Sequence, residues 1–208
     1  TVTIGSLSLG NGSNGGLSSN YTLSGGTHTL SVTKRPVTIS GTRVYDGTAI
    51  VSNSSISTFN NRAGSETLSL TGSGSIGSAA VGAGKAITLG TLALADNSGL
   101  ASNYSLSSGT FDVTVKNVTF VGSRVYDGTT SVNSSNISST FTGLAGSETL
   151  TLSGSGSVAS KNVASGQSVT IGSIAIANGT GVASNYSLTS ATLNITQRPI
   201  SLSGTRVY

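Results

Sequence analysis

The string Arg-Val-Tyr-Asp-Gly-Thr occupies Arg43–Thr48 and returns at Arg124–Thr129, and its first three residues return again at Arg206–Tyr208. Other segments keep the same beat. Ala-Gly-Ser-Glu-Thr-Leu stands at Ala63–Leu68 and Ala145–Leu150, and Ser-Asn-Tyr ends at Tyr21, Tyr104 and Tyr186. The period is about 82 residues, longer than a solenoid coil and close to one small domain. The chain is therefore a tandem array, and its units divide as 1–35, the C-terminal part of one repeat; 36–117 and 118–198, two complete repeats; and 199–208, the start of a further one. An enzyme seldom needs one small domain in series, whereas a stalk or fibre does.

A unit of this size buries a modest core and gains from support by its neighbours. With no cysteine in the chain, neither disulfides nor thiolate zinc sites can supply that support. Cys, Met and Trp are all absent, which fits an oxidation-indifferent extracellular protein. Glycine at 29 residues and charged residues at 8% could signal disorder. Strict apolar–polar alternation and a net charge of only +4 point instead to ordered strands with polar outer faces.

The alternation places strands at Val37–Ser40 running on to Val44 and Tyr45, at Thr67–Thr71, Ala86–Leu89, Leu92–Leu94, Tyr104–Leu106 and Phe111–Val115. Asp46-Gly47 reads as a turn, Gly72-Ser73-Gly74 as a breaker, and Ser54–Arg62 as room for a short helical turn. The expected fold is all-β: small sandwich-like domains joined end to end. Phe111–Lys116 passes through Asn117 straight into Val118–Val121 with no Gly/Ser linker, so a stiff or only slightly bending rod is expected. Pro36 and Pro199 suit the first residue of a strand at such seams.

Residues kept in both complete units mark what each unit requires: Arg43 and Arg124, Tyr45 and Tyr126, Asp46 and Asp127, Gly47 and Gly128, Glu66 and Glu148. Asp-Gly at a strand end is a turn device, since the carboxylate accepts backbone N–H groups and glycine takes positive φ. The retained Arg and Glu, in a charge-poor domain, are expected to pair across strands. Asn20-Tyr21, Asn103-Tyr104 and Asn185-Tyr186 are read the same way, with Asn shaping a turn and Tyr anchoring it.

Val-Tyr-Asp-Gly-Thr, followed by Lys161-Asn162-Val163, Ser168–Ile174 and Asn185–Leu188 before the next unit, resembles the YDG repeat. That repeat and its relative the MBG repeat occur in tandem in large bacterial surface and secreted adhesins, including filamentous-haemagglutinin-like exoproteins. The resemblance covers essentially the whole chain and implies a spacer or fibre module without catalysis, located outside the cell or on its surface. The middle unit departs from it where Lys-Asn-Val becomes Ala79-Ala80-Val81, which argues against a functional site in that stretch.

Chemistry is sparse. His28 is the only histidine, within a strand-like Thr27-His28-Thr29, so no Ser-His-Asp triad can recur per unit. The six carboxylates form no Asp-rich loop for calcium, and the Gly72–Gly74 loop lacks the lysine of a phosphate cradle. No catalytic, cofactor or metal residue is expected. A shared Lys–Asn crosslink is disfavoured because Lys85 aligns with Gln167 and Lys161 with Ala79. The calculated pI of 9.6 rests on singly spread basic residues, the densest groups being Lys34-Arg35 and Gln197-Arg198 at repeat junctions, which read as solvated seams and not as a nucleic-acid stripe. No apolar run reaches the length of a membrane span. Asn-x-Ser/Thr sequons abound, Asn20, Asn103 and Asn185 among them, as expected by chance in so Ser/Thr-rich a chain.

The leading expectation is a structural shaft whose partners are neighbouring repeats and other copies of the chain. The alternatives are a glycan- or matrix-binding module working through its Tyr and Asn loops, and a laterally assembling sheath or surface layer. Exposure of Tyr45 and Tyr104 would favour the binding module, and burial the shaft.

Overall fold

The computed structural model describes residues 5–23, 30–206 and 208; the strand-like stretch around His28 lies outside them. Two units of the same topology follow one another. The first contains β1 (Arg35–Val44), β2 (Ile50–Ser52), β3 (Ile56–Asn60), β4 (Ser69–Thr71), β5 (Ser73–Ile76), β6 (Gly82–Thr88), β7 (Ala93–Ala95) and β8 (Tyr104–Thr114). The second repeats them as β9 (Lys116–Val125), β10 (Ser131–Asn133), β11 (Ser138–Thr142), β12 (Leu150–Ser153), β13 (Ser155–Val158), β14 (Ala164–Thr170), β15 (Ala175–Asn178) and β16 (Tyr186–Thr196). In each unit six strands form one sheet, ordered β2-β5-β6-β8-β1-β3 and β10-β13-β14-β16-β9-β11. The remaining pairs, β4-β7 and β12-β15, make a second, two-stranded sheet. The fold is all-β, two tandem repeats of about 82 residues.

Alternation explains the long strands. In β1, Val37 and Ile39 point inward and are buried, with Gly41 as the next inward position. Gly41 tolerates no larger residue: a Cβ there would lie 2.2 Å from the Ser55 carbonyl oxygen. In β8, Phe111 and Val113 face the core that Ile39 enters, and Tyr104 packs with Val37. The two stretches read as separate strands, Tyr104–Leu106 and Phe111–Val115, are one continuous strand, bridged by the buried Gly109.

Three short strands are not legible in the alternation. Ser54–Arg62, read as room for a helical turn, holds one 3-10 turn at Asn53–Ser55 and then β3. The Gly72-Ser73-Gly74 breaker is a corner. Gly72 adopts φ 77° where a Cβ would lie 2.1 Å from the Thr91 carbonyl oxygen, and the chain passes there from β4 in the small sheet to β5 in the large one. Gly154 repeats this corner at φ 76°, against Ser173.

The topology sets how units connect. β1 pairs with β8 in parallel, from Arg35 opposite Tyr104 to Val44 opposite Thr114, and β9 pairs with β16 in the same sense. First and last strands therefore run the same way, so the chain enters a unit at one end and leaves at the other. Only Val115 separates β8 from β9. Ten residues of β1 at about 3.3 Å each make this strand roughly 33 Å long.

The core shows the coupling. Ile39, Val51, Phe111 and Val113 of the first unit form one continuous apolar cluster with Val118, Ala145, Leu150 and Tyr186 of the second. The equivalents of that second set in the first unit, Val37, Leu68 and Tyr104, stand apart as a small separate cluster.

The seam between repeats as candidate functional site

Each element of the Arg-Val-Tyr-Asp-Gly-Thr string has a distinct task. Asp46 Oδ1 accepts the Thr48 backbone N–H at 2.9 Å and its hydroxyl at 3.0 Å, an Asx turn completed by Gly47 at φ 81°. Asp127, Thr129 and Gly128 repeat it, with both contacts at 3.0 Å and φ 79°. The backbone N–H of Thr129 is the largest influence holding the Asp127 carboxyl below the usual carboxylate range. Arg43 folds back to donate to the carbonyls of Thr48 and Ile50, and lies 3.3 Å from Asp46. Arg124, buried, does the same with Thr129 and Ser131, and lies 3.2 Å from Asp127. The expected Arg–Glu pair across strands is thus corrected. The guanidinium belongs to its own turn, where a fork of donors answers carbonyls that the tight loop leaves open.

The turn exists to aim the tyrosine. Tyr45 N–H is tied to Thr114 O at 2.9 Å, fixing the turn against the end of β8. Its side chain then leaves its own unit. The Tyr45 hydroxyl donates to Glu148 Oε1 of the next unit at 2.7 Å, and its ring meets Tyr186 edge-on, centroids 5.4 Å apart at 82°. A Cβ on Gly47 would sit only 3.5 Å from Glu148 Oε1, so the whole turn rests in the neighbour.

The receiving socket is built by the second unit. Tyr186 donates to Glu148 Oε2 at 2.6 Å while its own oxygen accepts the Ala145 N–H at 3.0 Å. One carboxylate therefore receives two phenols, one from each repeat. Burial pushes the Tyr186 hydroxyl up to about 12, helped by its bond to Glu148. Burial likewise raises Tyr45, with the Glu148 bond adding to it. Asn185, 3% exposed, completes the socket: its Oδ1 accepts Val81 N–H from the first unit at 2.9 Å.

Asn185 therefore does not shape its own turn. Asn178 does, accepting the Ala183 N–H at 2.7 Å, as Asp96 does for Ala101. Asn185 also lies too deep for a glycan once the seam has formed. The Ala79–Val81 stretch, set aside on sequence, is part of the seam because Val81 contributes a backbone N–H. That donor is indifferent to whether Ala-Ala or Lys-Asn precedes it. No sequence signal marks Val81 or Thr114, since both act through the backbone.

A socket of the same make opens at the other end of the first unit. Tyr104 donates to Glu66 Oε2 and accepts the Ala63 N–H at 3.1 Å. Among the described residues its rim is less covered: Ala63 is half-buried and Asn103 exposed, whereas Ala145 and Asn185 are buried. Tyr126 is the second unit's counterpart of Tyr45. It too is tied by its N–H, to Thr196 O at 2.9 Å, but its side chain is only half-buried.

Among the described residues no three His, Cys, Asp or Glu side chains gather as metal ligands, and no helix is long and apolar enough to cross a membrane. Arg35, half of the basic pair before Pro36, is engaged with Asn61 at 2.8 Å.

No curated protein and no solved structure matches the chain. The family profile of the YDG domain matches twice, over residues 27–111 and 112–193. With two matches covering more than half of its length, each containing one Asp-Gly turn and one Glu-Tyr socket, this chain belongs to the YDG domain family as a tandem pair of its repeats.

Proposed function

We propose that this chain is a structural segment of a bacterial extracellular adhesin or fibre, a stiff shaft whose repeats are locked in series and carry no catalysis. The observation that supports the reading most is the seam. The most distinctive residue of the repeat, Tyr45, is 5% exposed and is consumed in holding the next repeat. A buried aromatic contact, a shared carboxylate and a one-residue connection resist bending where a polar linker would permit it. Parallel first and last strands add each unit along one axis. The glycan-binding alternative called for exposed loop tyrosines, and Tyr45 and Tyr104 are both buried. The shaft reading therefore has the better support.

Small-angle scattering of the chain, compared with its Tyr45→Ala variant, tests the shaft. A fixed angle between units should give one narrow maximum dimension, and the variant should broaden it. Free jointing of the unaltered chain would sink the stiff-shaft reading. Protease shaving of intact producing cells, with release of repeat fragments, tests the surface location.

A further inference from the structure

With no Cys, Met or Trp among its residues, the six tyrosines of this chain are the side chains that give up an electron most readily. Two of them meet at the seam. Tyr45 and Tyr186 are the one tyrosine pair in ring contact among the described residues, centroids 5.4 Å apart at 82°. Their hydroxyls donate to the two oxygens of one carboxylate, Glu148 Oε1 at 2.7 Å and Oε2 at 2.6 Å. The ring carbons ortho to a hydroxyl flank it, so the shared carboxylate brings those edges of the two rings together. Removing an electron from a phenol makes its proton strongly acidic, and here a hydrogen-bonded base already stands beside each one. Glu148 is half-buried, so a proton it receives passes on to water. Both rings are buried, which keeps other side chains away from them.

We propose that the seam is a site of oxidative modification, at which a one-electron oxidant couples Tyr45 to Tyr186 through their ortho carbons and joins the two repeats covalently. Each phenol gives one electron to the oxidant and its hydroxyl proton, by way of Glu148, to water. The two phenoxyl radicals then pair their electrons in one new carbon–carbon bond. The hydrogen on each bonded ortho carbon moves to that ring's oxygen, which restores two aromatic phenols. In sum, two tyrosines yield one biphenol, two protons and two electrons, and the product is lighter by two hydrogens. An outer-sphere metal complex serves as the oxidant, since it withdraws electrons without touching the buried rings. Rotation of a ring about its Cβ–Cγ axis swings its ortho carbons and leaves the hydroxyl on Glu148, so the edge-on contact converts without the seam opening. Rings held together in this way couple far faster than tyrosines that must meet by diffusion. The bond turns a contact that unfolding would break into a crosslink that constrains the unfolded chain. The proposal goes beyond the shaft reading: a seam that scatters as rigid but does not couple fails this proposal alone.

Photogenerated tris(bipyridine)ruthenium(III), a one-electron oxidant, applied to the dilute chain decides it. Trypsin cuts after Lys and Arg and leaves the six tyrosines on six different peptides, so tandem mass spectrometry of the digest identifies which pair has joined. In the monomer fraction the main crosslink should join the Tyr45 peptide to the Tyr186 peptide, at the sum of their masses less two hydrogens. Tyr45→Phe keeps the ring but forms no phenoxyl radical, and should abolish that product. Tyr126→Phe should leave its yield unchanged. Unfolding the chain in urea before oxidation should remove the preference for this pair. Coupling spread evenly over the tyrosines, a main crosslink that joins two chains through the exposed Tyr21 or Tyr208, or oxygen addition to Tyr45 and Tyr186 in place of coupling would each overturn the proposal. So would a preference for this pair that persists in urea.

Discussion

The filled socket around Glu148 and the open one around Glu66 are the same structure in two states of occupancy. Both hold a tyrosine on one carboxylate oxygen and on an Ala N–H. What changes with occupancy is everything around that pair. Asn185 is 3% exposed and bonded across the seam, while Asn103 is exposed. Val118, Leu150 and Tyr186 join the preceding core, while Val37, Leu68 and Tyr104 stand alone. The socket is thus preorganised by its own repeat, and the neighbour supplies burial and one further phenol. A repeat of this size with a thin core gains its stability at the contacts it makes in series.

The widest difference is expected at the plugs. Tyr45→Ala removes a buried ring and its charge-assisted hydrogen bond and should cost about 3–5 kcal/mol. Tyr126→Ala, which removes a half-buried ring packed on the core of its own repeat and makes no seam contact among the described residues, should cost less, about 1–2 kcal/mol in dilute solution. Urea denaturation of both variants makes the comparison; equal costs would show that Tyr45 stabilises its own repeat rather than the seam. At the sockets, Glu148→Ala strands two tyrosine hydroxyls and should cost about 3 kcal/mol, against about half of that for Glu66→Ala, which strands one.

Alkaline titration sharpens the contrast. Tyr186 and Tyr45 have folded values raised above the unfolded phenol value of about 10, Tyr186 to about 12. Their contribution is complete below about 10 and is lost as pH rises above it, for Tyr186 through about 12, because the unfolded chain gives up those protons first. Unfolding free energy followed against pH should fall in that window, and Tyr45→Phe should soften the fall. The smallest difference is at the amides. Asn185→Ala leaves Val81 N–H without an acceptor and should cost about 1–2 kcal/mol, while Asn103→Ala should stay within about 0.5 kcal/mol. Hydrogen exchange at the Val81 amide reads the first directly.

Much of the fold was legible because it is local. Alternating Val37 and Ile39, and Phe111 and Val113, mark strands whatever lies beside them, and Asp46-Gly47 forms its turn from two adjacent residues. The short strands β2, β3 and β5 were not legible, since three to five residues rich in Ser and Gly carry too little periodicity. The role of Arg43 was misread for a related reason. A guanidinium in a charge-poor sequence suggests a distant carboxylate, yet the nearer unmet acceptors were carbonyls of its own loop. The seam was half legible. Tyr45, Glu148 and Tyr186 stand out by recurring, but recurrence does not say that the first belongs with the other two.

The sequence alone determined that the molecule is a series of all-β units of about 82 residues, because a repeated pattern of period-two alternation and Asp-Gly turns has no other compact solution. Only the tertiary structure decided that first and last strands run parallel, so that each unit passes the chain from one end to the other. It also decided that Tyr45 reaches Glu148 rather than the Glu66 of its own repeat. The physical reason is distance along the chain. With identical residues in every unit, partners within a repeat and partners across a seam look alike in sequence. The short Val115 connection and the direction of β8 bring the next repeat's carboxylate, and not its own, to the tyrosine.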